Sequence, residues 1–95
     1  MEQLEIIEVR SAGLTHAAIL KDLAGIIETA GSEPGEPNLR IYGHSSVETD
    51  VAVHIRHVRT EALDGGSPLG YHLAGHLRRF GLVNHDVWTL GGGTI

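Results

Sequence analysis

Two short stretches of the chain place histidine, arginine and tyrosine where they could share a ligand. In residues 49–57, TDVAVHIRH, strict alternation puts Asp50, Ala52, His54 and Arg56 on one side and Val51, Val53 and Ile55 on the other. In residues 39–46, LRIYGHSS, the same period groups Arg40, Tyr42 and His44. Imidazole both donates and accepts a proton near neutral pH, so His54 and His44 are candidate acid–base groups. Arg40, Arg56 and, from the first apolar stretch, Arg10 would neutralise an anionic or carbonyl ligand, and Tyr42 would orient it.

Other residues carry weaker signals. His72 and His76, in HLAGH, are spaced so that two imidazoles on a helix could share a metal, but no glutamate follows the first histidine. The plainer reading is a core histidine at 76, bonded to a neighbour, beside a partly exposed His72. His54 and His57 point to opposite faces and cannot chelate together. His44 and His54 could meet across a hairpin and, with Glu8 or Asp50, form a two-histidine carboxylate set. His85 and Asp86 are adjacent and so diverge on a regular strand, which leaves His85 at a pocket mouth and not in a dyad. Trp88 reads as a core or interface anchor. In DGGSPLG the glycines precede a helix start, but the lysine of a nucleotide-binding loop is missing, so Ser67 is read as a cap. Gly75 marks either a close backbone approach or a tolerated weak spot.

Composition narrows the classes. Ninety-five residues make one domain, residues 1–95, with a loose tail over residues 90–95. A chain of this size buries roughly 60–65% of its unfolded surface, and dimerisation is a common remedy. No cysteine is present, which excludes disulfides and thiolate metal sites and suits a cytoplasmic protein. A net charge of -5 with a single lysine argues against nucleic acid. No apolar run approaches a membrane span and no leader is recognisable.

The positioning elements follow from periodicity and punctuation. LEIIEVRS reads as a strand, with Leu4, Ile6, Glu8 and Arg10 on one face and Glu5, Ile7 and Val9 on the other. Thr15 would cap a helix carrying Ile19, Leu20, Leu23, Ile26 and Ile27, stapled by Leu14 and ended by Gly31. GSEPGEPN is a loop before the second strand, and the residues around Ser45–Thr49 form a hairpin into the third. Ser67 and Pro68 start a second helix that Gly81 should end. HDVWTL is the fourth strand. This β-α-β-β-α-β order predicts an α+β, ferredoxin-like sandwich, a four-stranded antiparallel sheet with two helices on one face. The Arg, His and Tyr residues then fall on the other face, which is either solvated or covered by a second subunit to enclose a polar chamber.

That order, together with VETDVAVHI and GSPLGYHLAGHLRRFGLVNHDVW, resembles small bacterial proteins of the dimeric α/β-barrel superfamily, related to the antibiotic-biosynthesis-monooxygenase-like and stress-responsive barrel families. The resemblance implies a homodimer with two sheets face to face, and carries over no catalytic residue. The expectation is therefore a protein that binds a small anionic or carbonyl compound, and acts on it, if at all, without a cofactor. A non-enzymatic dimerisation or regulatory module is the alternative, and metal binding through His44, His54, His72 and His76 comes third.

Overall fold

Alternation in the sequence becomes alternation of burial in the structure. The computed structural model describes residues 2–11, 13, 16–30, 38–58, 63 and 65–91. Its elements are β1 (Glu2–Ser11), α1 (His16–Ala30), β2 (Asn38–Gly43), β3 (Asp50–Val58), α2 (Pro68–Leu77) and β4 (Gly81–Thr89). The strands form one antiparallel sheet in the order β2-β3-β1-β4, so β1 and β3 are central. This is the ferredoxin-like α+β arrangement.

Ile7, Val9, Val51, Val53 and Ile55 turn to the helix side and are buried with Ile19 and Leu23 of α1 and Leu73, Ala74 and Leu77 of α2. Leu39 and Ile41 of β2 pack against this cluster. Both helices therefore lie on one face, α1 over β2 and β3, and α2 over β1 and β4. On α1, Ile19 and Leu23 face inward, whereas Leu20 is exposed. Among the described residues no helix is long and apolar enough to cross a membrane.

The second helix starts as its residues demand. Ser67 caps it, its hydroxyl accepting from the Gly70 N–H at 3.0 Å, and Pro68 occupies the first turn where its missing N–H costs nothing. Its end differs from expectation. The helix stops at Leu77 and tightens through Arg78–Phe80, where the Phe80 N–H donates to the Leu77 carbonyl at 2.9 Å. Gly81 is no helix terminator: it opens β4 opposite Ser11, and a Cβ there would run into the Arg10 carbonyl oxygen. The fourth strand accordingly begins four residues before His85. Thr15, Leu14 and Gly31, expected to bound α1, lie outside the described residues, as do residues 31–37 and the tail beyond Gly91.

Candidate functional site

The hairpin register decides which of the sequence candidates meet. Arg40 is opposite His54, Ile41 opposite Val53 and Tyr42 opposite Ala52. Arg40, Tyr42, His54 and Arg56 therefore gather with Leu4 of β1 around a depression of about 330 Å³ on the sheet face away from the helices. The Tyr42 and His54 rings are 4.6 Å apart. Arg40 is without an ion pair among the described residues, whereas Arg56 is held by Glu2 at 2.8 Å. The Arg56 guanidinium lowers the Glu2 carboxyl below its usual range, and Glu2 in turn raises Arg56.

His44 is not brought to His54. Its N–H donates to the Asp50 carbonyl at 2.9 Å, four residues further along the hairpin than the Arg40–His54 pair, about 13 Å at strand rise. Its Nδ1 accepts from the backbone N–H groups of Ser46 and Val47 at 3.0 and 3.1 Å, which makes it a turn-stabilising side chain. It lines a second depression with Arg10, Glu8 and Asp50, and Tyr42 stands between the two. The two-histidine carboxylate set across the hairpin therefore does not assemble. On α2, His72 is exposed and His76 is partly buried against Asp22 of α1. Among the described residues no group of three His, Asp or Glu side chains is placed to hold a metal.

A second constellation lies on the helix side, built from Glu5 and His57 on the inward faces of their strands, Ser67, expected as a cap, and His85, expected at a pocket mouth. Glu5 of β1 has no exposed surface. His57 faces Gln3 across β1–β3 and His85 faces Ile7 across β1–β4, so the two histidines are the diagonal neighbours of Glu5 on either flank. Such diagonals are within reach of long side chains. Glu5 Oε1 accepts from Ser67 Oγ at 2.6 Å and from His57 Nε2 at 2.9 Å. Its Oε2 accepts from the Ser67 N–H at 3.0 Å and from His85 Nε2 at 2.5 Å. Burial pushes this carboxyl up, but the bonds from Ser67, His57 and His85 outweigh it and hold the group below its ordinary value. The signal was present in the alternation: Glu5 shares its face with Ile7 and Val9, and His57 shares its face with Val53 and Ile55.

Space for this carboxylate is made by two glycines. A Cβ at Gly70 would overlap the Glu5 carboxylate, and one at Gly66 would stand 2.5 Å from His85 Cε1. Gln3, also buried, fastens the preceding loop by accepting from the Leu63 N–H at 2.8 Å and donating to Thr89 Oγ1 at 3.2 Å. Beside His85 opens a cleft of about 470 Å³, walled by Tyr71 of α2, Arg78 just past its end, the loop at Gly65–Gly66, and β4. Tyr71 meets His85 edge-on at 5.1 Å, and its hydroxyl accepts from the Gly66 N–H at 3.3 Å.

No protein-family model matches the chain, and no curated protein matches it. Among solved structures, that of Rv0793 from Mycobacterium tuberculosis is similar over 100% of both chains, with 16% sequence identity and a TM-score of 0.69. At that identity the likeness concerns the fold, a small α+β sandwich of matching size.

Proposed function

We propose that the chain is a small-molecule-binding protein of the dimeric α/β-barrel type, with an anionic or carbonyl ligand held on the outer sheet face beneath a second copy. One observation carries this reading: Arg40, Tyr42, His54 and Arg56 converge on a single depression. Arg40 supplies a positive charge that no ion pair among the described residues takes up, Tyr42 and His54 supply a paired aromatic wall with polar tips, and Leu4 adds an apolar side. A second copy would exclude water from these groups, which strengthens each charge-assisted hydrogen bond to the ligand. His54 is the acid–base candidate if a reaction occurs there. His44 and Arg10 belong to the neighbouring depression and would at most contact an extended ligand.

A non-catalytic dimerisation module is the second reading, and the Glu2–Arg56 pair favours it, since it already neutralises one of the two arginines. Native mass spectrometry of untagged protein, followed by His54→Ala and Arg40→Ala, separates them. The binding reading expects a dimer carrying extra mass that is lost on denaturation and lost in both variants while the dimer persists. Variants that dissociate the dimer without any change in bound mass would establish the module instead.

A further inference from the structure

We propose that the cleft between α2 and β4 is a separate acid–base site, where His85 removes a proton from a small oxo acid and Tyr71 steadies the resulting enolate. No residue lines both this cleft and the sheet-face depression, so the inference does not rest on ligand binding there.

The argument begins with the donors around Glu5. Each carboxylate oxygen accepts two hydrogen bonds, so Glu5 has no lone-pair direction left for a ligand and acts as a positioning residue. An ionised carboxylate only accepts. His85 must therefore carry its proton on Nε2, and in the neutral ring the lone pair resides on Nδ1. That nitrogen has no partner among the described residues, and no buried side-chain nitrogen or oxygen there lacks one, so Nδ1 is reached from the cleft that His85 lines. His57 makes the same bond to Glu5 from the buried interior, and a staple between strands and helix would need nothing more. His85 makes it at a cavity wall. The backbone of Gly66 against its ring limits how far the ring can turn.

The cleft supplies what a proton transfer needs. Once protonated at Nδ1, the imidazolium stays bonded to the Glu5 carboxylate at 2.5 Å, which offsets its charge. The Tyr71 hydroxyl uses an acceptor position on the Gly66 N–H, so its own proton is free to point to a developing oxyanion. Arg78, the residue that caps α2 seven positions after Tyr71, is without an ion pair among the described residues and would draw a carboxylate into the cleft. In the step, the C–H bond next to the ligand's ketone breaks and the proton moves to Nδ1. The electron pair becomes the enolate, whose oxygen accepts from Tyr71. Return of the proton to the same carbon exchanges it, and return elsewhere isomerises the compound; no oxidant or reductant is consumed.

The test is deuterium exchange. Protein in D₂O with 2-oxobutanoate, and separately with 4-oxopentanoate, is followed by proton NMR for loss of the signals beside the ketone. Exchange above the buffer rate with at least one probe is expected, falling about 100-fold in His85→Gln and by a smaller factor in Tyr71→Phe. His72→Ala, an exposed imidazole on the same helix, should leave it unchanged. Glu5→Gln tests positioning: without the carboxylate that fixes Nε2–H, the ring is no longer held with Nδ1 toward the cleft, so the exchange rate at saturating probe should fall while the apparent KM changes little. Besides Glu5, the groups that face or border His85 are His57 from β3, Tyr71 from α2, Arg78 at its C-terminal cap, and Asp86 on the rim. Should a variant fail to fold, nitrogen-15 NMR of the wild-type ring still decides, because an Nδ1–H tautomer of His85 would overturn the proposal. So would exchange at the buffer rate with both probes, or equal exchange in folded His85→Gln.

Discussion

A carboxylate sealed from water must have each of its oxygens satisfied, and Glu5 achieves this with donors from three different elements. Ser67 contributes two of them, a hydroxyl and a backbone N–H, and the same hydroxyl accepts from Gly70 to cap α2. Removing that hydroxyl by Ser67→Ala would take away both a cap and a carboxylate donor. Thermal unfolding should report a loss of about 1–3 kcal/mol. The charge on Glu5 also sets a pH dependence whose sign is determined. Its carboxyl is held below the ordinary value of 4.5, so the folded protein binds fewer protons there than the unfolded chain. The stabilisation is complete above that ordinary value and is lost as pH falls through the lower folded one. Urea midpoints measured from pH 3 to 6 should therefore drop toward acid in the wild type, and Glu5→Gln should be less stable near neutrality with a flatter acid limb. A variant that keeps the wild-type slope would assign the acid sensitivity to other carboxylates.

At the scale of elements, two helical glycines make opposite predictions. Gly70 lies against the Glu5 carboxylate, and a methyl group there has no room. Gly75 faces open space on the exposed side of α2, so the tolerated-weak-spot reading of it is the right one. Gly75→Ala should stabilise by up to about 1 kcal/mol through helix propensity, while Gly70→Ala should destabilise by about 1–3 kcal/mol despite the same gain. Denaturant titrations of the pair check both signs. The contrast also marks what the sequence could reveal. Period-two alternation in β1 and β3, and Ser67-Pro68 before α2, made the element order and the faces of the sheet readable. The end of α2 was misplaced because Leu73, Leu77 and Phe80 continue a helical apolar spacing past the last helical residue. What makes Gly81 a strand residue is its approach to Arg10, a contact between opposite ends of the chain. The Glu5 cluster was hidden for a related reason: its members come from β1, β3, β4 and the start of α2. Only the two registers about β1 bring them together, whereas the Arg40–His54 pairing needed just one local hairpin.

For the whole molecule, the open question posed by its shape is the sheet face turned away from the helices. In the single chain Trp88 is 63% exposed and Leu82 is 79% exposed, while Leu4 and Ile6 beside them are half-buried. The β1–β4 register puts Leu4 opposite Trp88 and Arg10 opposite Leu82, so these apolar groups lie on the face that carries Arg40, Tyr42 and His54. A large indole left in water forgoes burial of the kind that anchors stable interfaces. A second copy applied face to face would recover it, provided it covers about 800 Å² per partner. Two consequences follow from mass action and can be measured independently. Under the proposed pairing, wild-type protein should sediment as a dimer, and its melting temperature should fall on dilution, because association stabilises the folded chain. Trp88→Lys places a charge on the β4 edge of that face, among its most exposed apolar groups, and should shift sedimentation to the monomer and remove the concentration dependence of melting. It should leave the helix-side core and the Glu5 cluster intact, since neither touches this face. A wild-type chain that sediments as a monomer at every concentration would instead show that this face is simply solvated, and Arg40 and His54 would then meet any ligand in open water, where charge-assisted hydrogen bonds are weakest.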